Sequence, residues 1–125
     1  MLGVIPGVKW IGAAGKTAEE GNLVYRALDA SGDTIYVGIT NNLERRAAEH
    51  LAQKSIAIDA IPGLSGMSRA DARAVEQTLI DFHGLSKNGG ALINKINSIA
   101  ASNKVYSAAV QRGAELLKQA GYPGF

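Results

Sequence analysis

Apolar and polar side chains alternate in two short stretches of the chain. Residues 23–28 (LVYRAL) and 34–39 (TIYVGI) are rich in β-branched and aromatic side chains, and the turn-forming residues 29–33 (DASGD) separate them. This pattern predicts a β-hairpin with a loop of about five residues. The apolar stretch 55–61 (SIAIDAI), which a Pro-Gly pair ends, predicts a short third strand.

Two segments in the middle of the chain have apolar residues at helical spacing. A helix is predicted over 42–54, with Asn41 as its N-cap and Glu44 completing a capping box. A second helix is predicted from Ser68, its N-cap, to Gly84, which ends it.

The last third of the chain combines loop and helix signals. The glycine-rich residues 84–90 predict a loop, and the mixed apolar and Asn-rich residues 91–100 predict a short helix. A last helix is predicted from Ser102, as its N-cap, to about Ala120. Its apolar stripe comprises Val105, Ala109, Leu116 and Leu117.

The order of these elements predicts the class of fold. A hairpin, a helix, a strand and two further helices favour an α+β fold, in which helices cover a small three-stranded antiparallel sheet. Residues 21–125 are predicted to form this single domain, including the C-terminal helix. Residues 1–20, which contain four glycines and a proline, are predicted to be a lead-in or linker outside the core.

Composition narrows the range of functions. A chain of 125 residues with 46% hydrophobic and 19% charged residues fits one globular domain. The absence of cysteine excludes disulfides, cysteine-ligated zinc, iron–sulfur clusters and thiol nucleophiles. The formal net charge of +2 permits an anionic partner without requiring one. No apolar run reaches the ~18 residues of a membrane span, so we expect a soluble protein.

Two familiar ligand-binding patterns are incomplete in this chain. Gly15-Lys16-Thr17 ends like a phosphate-binding Walker A loop, but Trp10 occupies the position of the first glycine of that motif. His50 and His83 are far apart in sequence and belong to no zinc-binding helix motif, so a zinc site is not expected.

The first predicted helix carries two polar residues at the edge of its apolar face. Arg46 and His50 are one helical turn apart beside the apolar stripe. An arginine at such a boundary either extends its aliphatic stem over the core or binds an anion, and both interpretations stay open here. Arg45 and Glu49 lie further round the helix, where we expect an exposed ion pair.

The second predicted helix has an acid within its apolar face. Glu76 falls among apolar positions, and a buried carboxylate costs several kcal/mol unless a cation or strong donors meet it. Two partners stay open. One is Arg46, in a buried salt bridge. The other is a hard metal ion, with Mg²⁺ as the first choice, because the sequence provides only oxygen ligands. The apolar face comprises Ala72, Val75, Leu79, Ile80 and Phe82.

Two tyrosines and a glycine lie on the predicted hairpin. Tyr25 and Tyr36 stand on opposite strands, and a strand tyrosine commonly serves packing. Gly38 weakens its strand unless another group must approach the backbone closely. Together with the arginine, the histidine and the half-buried acid, these phenols are groups that phosphodiester hydrolysis requires. They can activate water, neutralise the oxyanion and hold an ion at the leaving oxygen.

These residues give the sequence a resemblance to the GIY-YIG nuclease family over about residues 22–98. Leu23-Val24-Tyr25 stands at the first signature tripeptide and Tyr36-Val37-Gly38 at the second. Residues 40–50 are similar to the family's Thr-x-x-Leu-x-x-Arg-x-x-x-His pattern. Leu23 departs from the leading glycine of the first tripeptide, although the tyrosine is present.

The resemblance implies a metal-dependent endonuclease. Tyr25 becomes the leading candidate for the general base, and Glu76 for the ligand of a Mg²⁺ or Mn²⁺ ion. Arg46 and His50 would contact the scissile phosphate. DNA is the favoured substrate. Three alternatives stay open. They are a nuclease for tRNA or other RNA, a non-catalytic nucleic-acid-binding module, and a scaffold with a structural Glu76–Arg46 pair. The implied catalytic set is Tyr25, Tyr36, Arg46, His50, Glu76 and Asn94.

A second resemblance concerns the lead-in. Residues 4–9 (VIPGVK), followed by Gly/Ala-rich residues, look like the segment before C-terminal toxin domains of bacterial polymorphic toxins, including contact-dependent inhibition systems. That resemblance implies an antibacterial toxin module of a larger secreted protein, acting in the cytoplasm of a target cell. It also implies a cognate immunity protein as partner.

Overall fold

The computed structural model describes residues 21–94, 97–100 and 102–125. The predicted lead-in, with its Gly-Lys-Thr sequence, lies outside these residues. The elements are β1 (Leu23–Leu28), β2 (Thr34–Thr40), α1 (Leu43–Lys54), β3 (Asp59–Ala60), α2 (Arg69–His83), a 3₁₀ turn (Ser86–Asn88) and α3 (Tyr106–Gln119). The predicted α+β class, with a three-stranded antiparallel sheet and flanking helices, is confirmed. No helix in the described ranges is long and apolar enough to cross a membrane.

The sheet has the strand order β2-β1-β3, so the hairpin supplies its centre and one edge. Tyr25 of β1 lies opposite Gly38 of β2, and the same tyrosine lies opposite Ala60 of β3. The third strand is only two residues long, shorter than the predicted 55–61. Ser55 ends α1 with a left-handed backbone (φ 57°). The predicted strand therefore starts with a helix cap, and only Asp59 and Ala60 pair with β1.

Side chains on the two faces of β1 belong to different clusters because strand side chains alternate. Val24 of β1 and Val37 of β2 pack with α2, in the main core that also contains Val75 and Leu79. Tyr25 and Ala27 face the other way, toward partly buried residues of α1. The candidate site is built on this second face, over a central strand buried on both sides.

Helices α2 and α3 approach closely because small residues line their contact. A Cβ at Gly113 of α3 would lie 2.1 Å from Thr78 Oγ1 and 2.4 Å from the Ala74 carbonyl oxygen. At one end of the contact, Arg112 forms an ion pair of 3.3 Å with Asp71. Helix α3 therefore braces α2 from the side away from the sheet.

Three details of the predicted helices are wrong. The N-cap of α1 is Asn42, not Asn41, since the Asn42 side chain accepts a hydrogen bond from the Arg45 amide. Helix α3 begins at Tyr106, later than the predicted Ser102, and Val105 is its N-cap. Phe82 is not part of the buried face of α2, since it is 50% exposed.

The predicted short helix over 91–100 is also absent from its described residues, 91–94 and 97–100. Contacts with two other elements use the hydrogen-bonding groups that a helix would need. The Ile93 amide donates to the Ile35 carbonyl oxygen at 2.7 Å, and the Ile99 amide donates to the fully buried Gln77 side chain at 2.8 Å. These tertiary hydrogen bonds override the local sequence pattern.

Candidate active site

The Tyr25 ring explains why its strand neighbour is a glycine. Tyr25 is 1% exposed, and a Cβ at Gly38 would lie 2.3 Å from both the ring Cζ and the phenol oxygen. No other side chain fits beneath the phenol, because real Cβ contacts do not approach that closely. The sequence predicts that some group approaches the backbone at Gly38, and the structure identifies this group as Tyr25.

We expect Gly38→Ala to displace the Tyr25 phenol and to lower strand cleavage at least about tenfold, because small misplacements of catalytic groups are costly. The thermal midpoint should fall as well. A double-mutant cycle with Tyr25→Ala supplies the control. In the Tyr25→Ala background the added methyl group meets no phenol, so Gly38→Ala should there leave the midpoint nearly unchanged. Equal losses in both backgrounds would contradict this account.

Two side chains of α1 meet the Tyr25 hydroxyl. His50 Nε2 lies 2.8 Å from the phenol oxygen, and Arg46 Nε donates to the same oxygen at 3.3 Å. Because a guanidinium only donates, the phenol proton is free to point toward His50. Burial, followed by the charge of Arg46, lowers the pKa of His50, which favours the neutral ring that can accept this proton.

Burial raises the pKa of Tyr25 above its ordinary value of 10.0, although the hydrogen bond from Arg46 opposes that shift. Burial likewise raises the pKa of Tyr36. Both side chains are therefore neutral phenols near pH 7. These raised pKa values are inconsistent with a tyrosine that is already ionised, as a phenolate base, in the resting protein.

His50 lies behind the two tyrosines rather than in the wall of the cleft. It is 3% exposed, and its ring centroid is 5.0 Å from that of Tyr36 and 5.5 Å from that of Tyr25. The resemblance implies a phosphate contact for His50, whereas the structure gives it a hydrogen bond to Tyr25. Next to His50 and Tyr25, Arg46 is the residue whose guanidinium is accessible from the cleft.

Arg46 pairs with an acid of its own helix. Its Nη1 lies 2.9 Å from Glu49 Oε1, with both side chains about two-fifths exposed. The predicted Arg45–Glu49 pair is therefore wrong. The reason is geometric, since the hydrogen bond from Arg46 Nε to Tyr25 leaves Nη1 near Glu49. No ion pair joins Arg46 to Glu76 in the part of the chain that the structure describes.

Glu76 is half-buried on α2, and burial raises the pKa of its carboxyl above the ordinary 4.5. The Ser98 side chain and the charges of Arg73, Arg69 and Arg46 act in the opposite direction. The carboxylate is thus destabilised by lost solvation and only partly compensated by cations around it. A cation bound directly to it would supply the missing compensation.

Asn94 holds the outer edge of the sheet beside the site. Its side-chain amide donates to the Val37 carbonyl oxygen at 2.8 Å, and its side-chain oxygen accepts from the Val37 amide at 3.1 Å. This pairing satisfies backbone groups of β2, which is an edge strand of the sheet that the described residues form. Asn94 therefore fixes β2 between Tyr36 and Gly38, which is a supporting role.

These groups border one cleft of about 550 Å³. Tyr25, Tyr36, Arg46, Glu76 and Asn94 all line it, whereas His50 does not. Sequence reasoning missed three further cations in its wall, which are Lys54, Arg69 and Arg73. The spacing of Arg69, Arg73 and Glu76 along α2 is the signal that could have identified two of them, because it puts all three on one helix face.

The cleft offers a restricted set of metal ligands. Glu76 is the single carboxylate among its described lining residues, and Ser98 and Asn97 add neutral oxygen donors. Among the residues that the structure describes, no cluster of three or more His, Asp or Glu side chains could enclose an ion. One carboxylate in an open cleft fits Mg²⁺, which keeps several waters and is commonly held by one or two carboxylates together with substrate phosphates.

One segment of the chain resembles a known protein family. Residues 21–68 match the family model of the GIY-YIG catalytic domain, which covers β1, β2, α1 and β3 and so includes Tyr25, Tyr36, Arg46 and His50. Glu76 and Asn94 lie beyond the matched residues. No curated protein and no solved structure matches the chain. The segment from 21 to 68 is thus similar to a GIY-YIG catalytic domain, and this similarity implies nuclease activity on nucleic acid.

Proposed function

We propose that the chain is a GIY-YIG endonuclease that hydrolyses phosphodiester bonds with a divalent cation held by Glu76. The observation that carries the proposal is the position of the Tyr25 hydroxyl. It lies between a guanidinium and a neutral imidazole, and it borders the same cleft as a half-buried carboxylate. Packing alone does not require a basic, an acidic and two phenolic groups around one cavity.

In this proposal Tyr25 and His50 move a proton together. The Tyr25 oxygen accepts a proton from the attacking water while the phenol passes its own proton to His50 Nε2. The phenol stays neutral throughout, so its raised pKa is no obstacle. Arg46, which already donates to the Tyr25 oxygen, neutralises charge that develops on the phosphate. Tyr36 orients the attacking water. Asn94 fixes β2, the strand that carries Tyr36.

Glu76 is the proposed ligand of the cation. Nucleases of this family generally use divalent metals, and one carboxylate among the described lining residues fits Mg²⁺ or Mn²⁺. When bound, the ion stabilises negative charge on the leaving oxygen. Glu76 must be ionised to hold it, and the arginines around the carboxylate favour that charged form.

DNA is the proposed substrate, and RNA cleavage by the same residues is the alternative. The sequence of residues 4–9 supports a further proposal, that the domain acts as an antibacterial toxin. A cognate immunity protein would then be its partner and would cover the cleft.

Incubation with supercoiled plasmid, linear DNA and total tRNA tests the function. We expect Mg²⁺-dependent nicking or cutting of at least one of these, and complete arrest by EDTA. Salt-dependent binding that is unaffected by EDTA and gives no products would favour the non-catalytic binding module and overturn the proposal. Digestion of tRNA with intact plasmid would leave the chemistry and correct the substrate.

A further inference from the structure

We propose that Arg69 and Arg73 of α2 form a second phosphate-binding site, which holds the sugar–phosphate backbone next to the scissile phosphate. This inference rests on the proposed nuclease function and names two residues of its substrate interface. Neither lies within the residues that match the catalytic-domain family, which end at residue 68.

The two arginines and Glu76 share one face of α2. They are separated by four and then three residues, so successive side chains stand about one helical turn, ~6 Å or less, apart along the axis. All three border the same cleft as Arg46 and the two tyrosines. A strand whose phosphate sits between Arg46 and Glu76 would therefore pass along this face of α2.

The charges of both arginines favour the ionised form of Glu76, but their guanidinium groups are exposed to an incoming anion. Both are exposed, and neither forms an ion pair with a carboxylate within the described residues. Arg73 donates one hydrogen bond to the Ser98 carbonyl oxygen, which orients its guanidinium beside the cleft. Arg112 shows the contrasting, structural use of an arginine, since Asp71 of the neighbouring helix binds it.

The charge of the cleft is strongly unbalanced. Among the lining residues that the structure describes, four cations stand against one acid, Glu76; the cations are Arg46, Lys54, Arg69 and Arg73. A concave surface with an excess of one sign concentrates counter-ions of the other sign. A polyanion with regularly spaced charges satisfies several such cations at once, and the phosphate backbone of a nucleic acid is that kind of ligand.

A competing role for the two arginines makes a different prediction. If they serve only to keep Glu76 ionised, their removal should shift the acid limb of the cleavage pH profile upward and leave metal-free binding unchanged. If they bind phosphates, their removal should weaken metal-free binding and its dependence on salt. Binding measured in EDTA separates the two roles.

The test uses the full chain, a short labelled DNA duplex and a labelled RNA of the same sequence. Affinity is measured in EDTA over a series of salt concentrations for wild type, Arg69→Gln, Arg73→Gln and the double variant. We expect each single substitution to lower the slope of log affinity against log salt by about 0.9 on duplex DNA, or about 0.7 on a single strand. The double variant should lose about twice as much.

Two control variants keep the result interpretable. Arg45→Gln removes an exposed α1 charge that does not line the cleft, and its slope should equal that of wild type. Arg73→Lys keeps the charge and should restore most of the slope. A far-UV spectrum and a thermal midpoint close to those of wild type exclude unfolding as the cause.

A double variant with the wild-type slope, or a wild type without salt-dependent binding, would overturn the phosphate site. Cleavage in Mg²⁺, measured alongside, tests the nuclease function separately. Intact cleavage with an unchanged slope rejects the phosphate site alone. A reduced slope without cleavage by the wild type supports the phosphate site and rejects the nuclease.

Discussion

Arg46→Ala should lower the rate of strand cleavage by about 10³-fold, because a guanidinium aimed at the reacting phosphate is worth that much or more in phosphoryl-transfer enzymes. The substitution also removes the donor to the Tyr25 oxygen, so the phenol loses one of the two groups that orient it. Single-turnover cleavage of a labelled substrate measures the effect.

The fold should survive this substitution. The Arg46–Glu49 pair is half exposed, and pairs of that kind contribute about 0.5 kcal/mol to the free energy of unfolding. Arg45→Ala is a closely matched control, since it removes an equal charge from the adjacent residue outside the cleft. A rate for Arg46→Ala close to that of Arg45→Ala would mean that Arg46 is a boundary arginine and not a phosphate ligand.

Glu76→Gln should lower cleavage by about 10²–10³-fold, because the ion proposed there stabilises the transition state by several kcal/mol. The same substitution should raise the thermal midpoint. Burial raises the folded-state pKa of Glu76, so ionising this carboxyl costs the folded protein more than the unfolded chain. Glutamine has nearly the same shape and removes that cost. Gain of stability with loss of activity is the expected signature of a functional acid.

The sign of the pH dependence follows from the same shift. A carboxyl with a raised folded-state pKa favours folding fully below its unfolded pKa, near 4.5, and loses that contribution as the pH rises through the folded value. The difference in midpoint between Glu76→Gln and wild type should therefore be largest at neutral pH and vanish below about pH 4.5. Glu44→Gln, on an exposed acid of α1 that does not line the cleft, is the control. A Glu76→Gln variant that is less stable than wild type at pH 7 would indicate a structural carboxylate.

The hairpin and α2 could be predicted nearly to the residue. The predicted strand 23–28 coincides with β1, and the predicted strand 34–39 is one residue shorter than β2, because alternation and a strong turn sequence are local signals. The bounds of α2 were predictable since Ser68 caps its first turn and Gly84 ends it. These features depend on few residues close in sequence.

The segment after α2 could not be predicted because distant partners determine its path. Asn94 pairs with Val37, and Gln77 holds the Ile99 amide, across sequence separations that a local pattern does not register. The start of α3 differs from the predicted one for a similar reason. The hydroxyl of its first residue, Tyr106, donates a hydrogen bond to Asp81 of α2.

The candidate site was predictable as a set of residues and not as a set of contacts. Motif spacing identifies Tyr25, Tyr36 and Arg46, and the apolar face of α2 singles out Glu76. The structure brings these four residues to one cleft. Their partners depend on distances between α1 and the sheet. Differences of a few ångströms decide whether Arg46 pairs with Glu49 or Glu76. They also decide whether His50 contacts a phosphate or Tyr25.

The contact of Arg46 with Glu49 also bears on the scaffold alternative. A structural Glu76–Arg46 ion pair would have given the half-buried carboxylate an internal partner. With Arg46 committed to Glu49 and Tyr25, Glu76 keeps a raised pKa and faces the cleft. This arrangement contradicts a structural Glu76–Arg46 pair and agrees with the cation proposed at Glu76.

The dependence of single-turnover cleavage on Mg²⁺ concentration, compared between wild type and Glu76→Gln, tests the role of this acid most directly. The wild-type rate should rise with Mg²⁺ to a plateau and return to background in EDTA, whereas the variant should stay near background at every concentration. A variant whose rate climbs with Mg²⁺ to the wild-type plateau would contradict the assignment of the metal to Glu76.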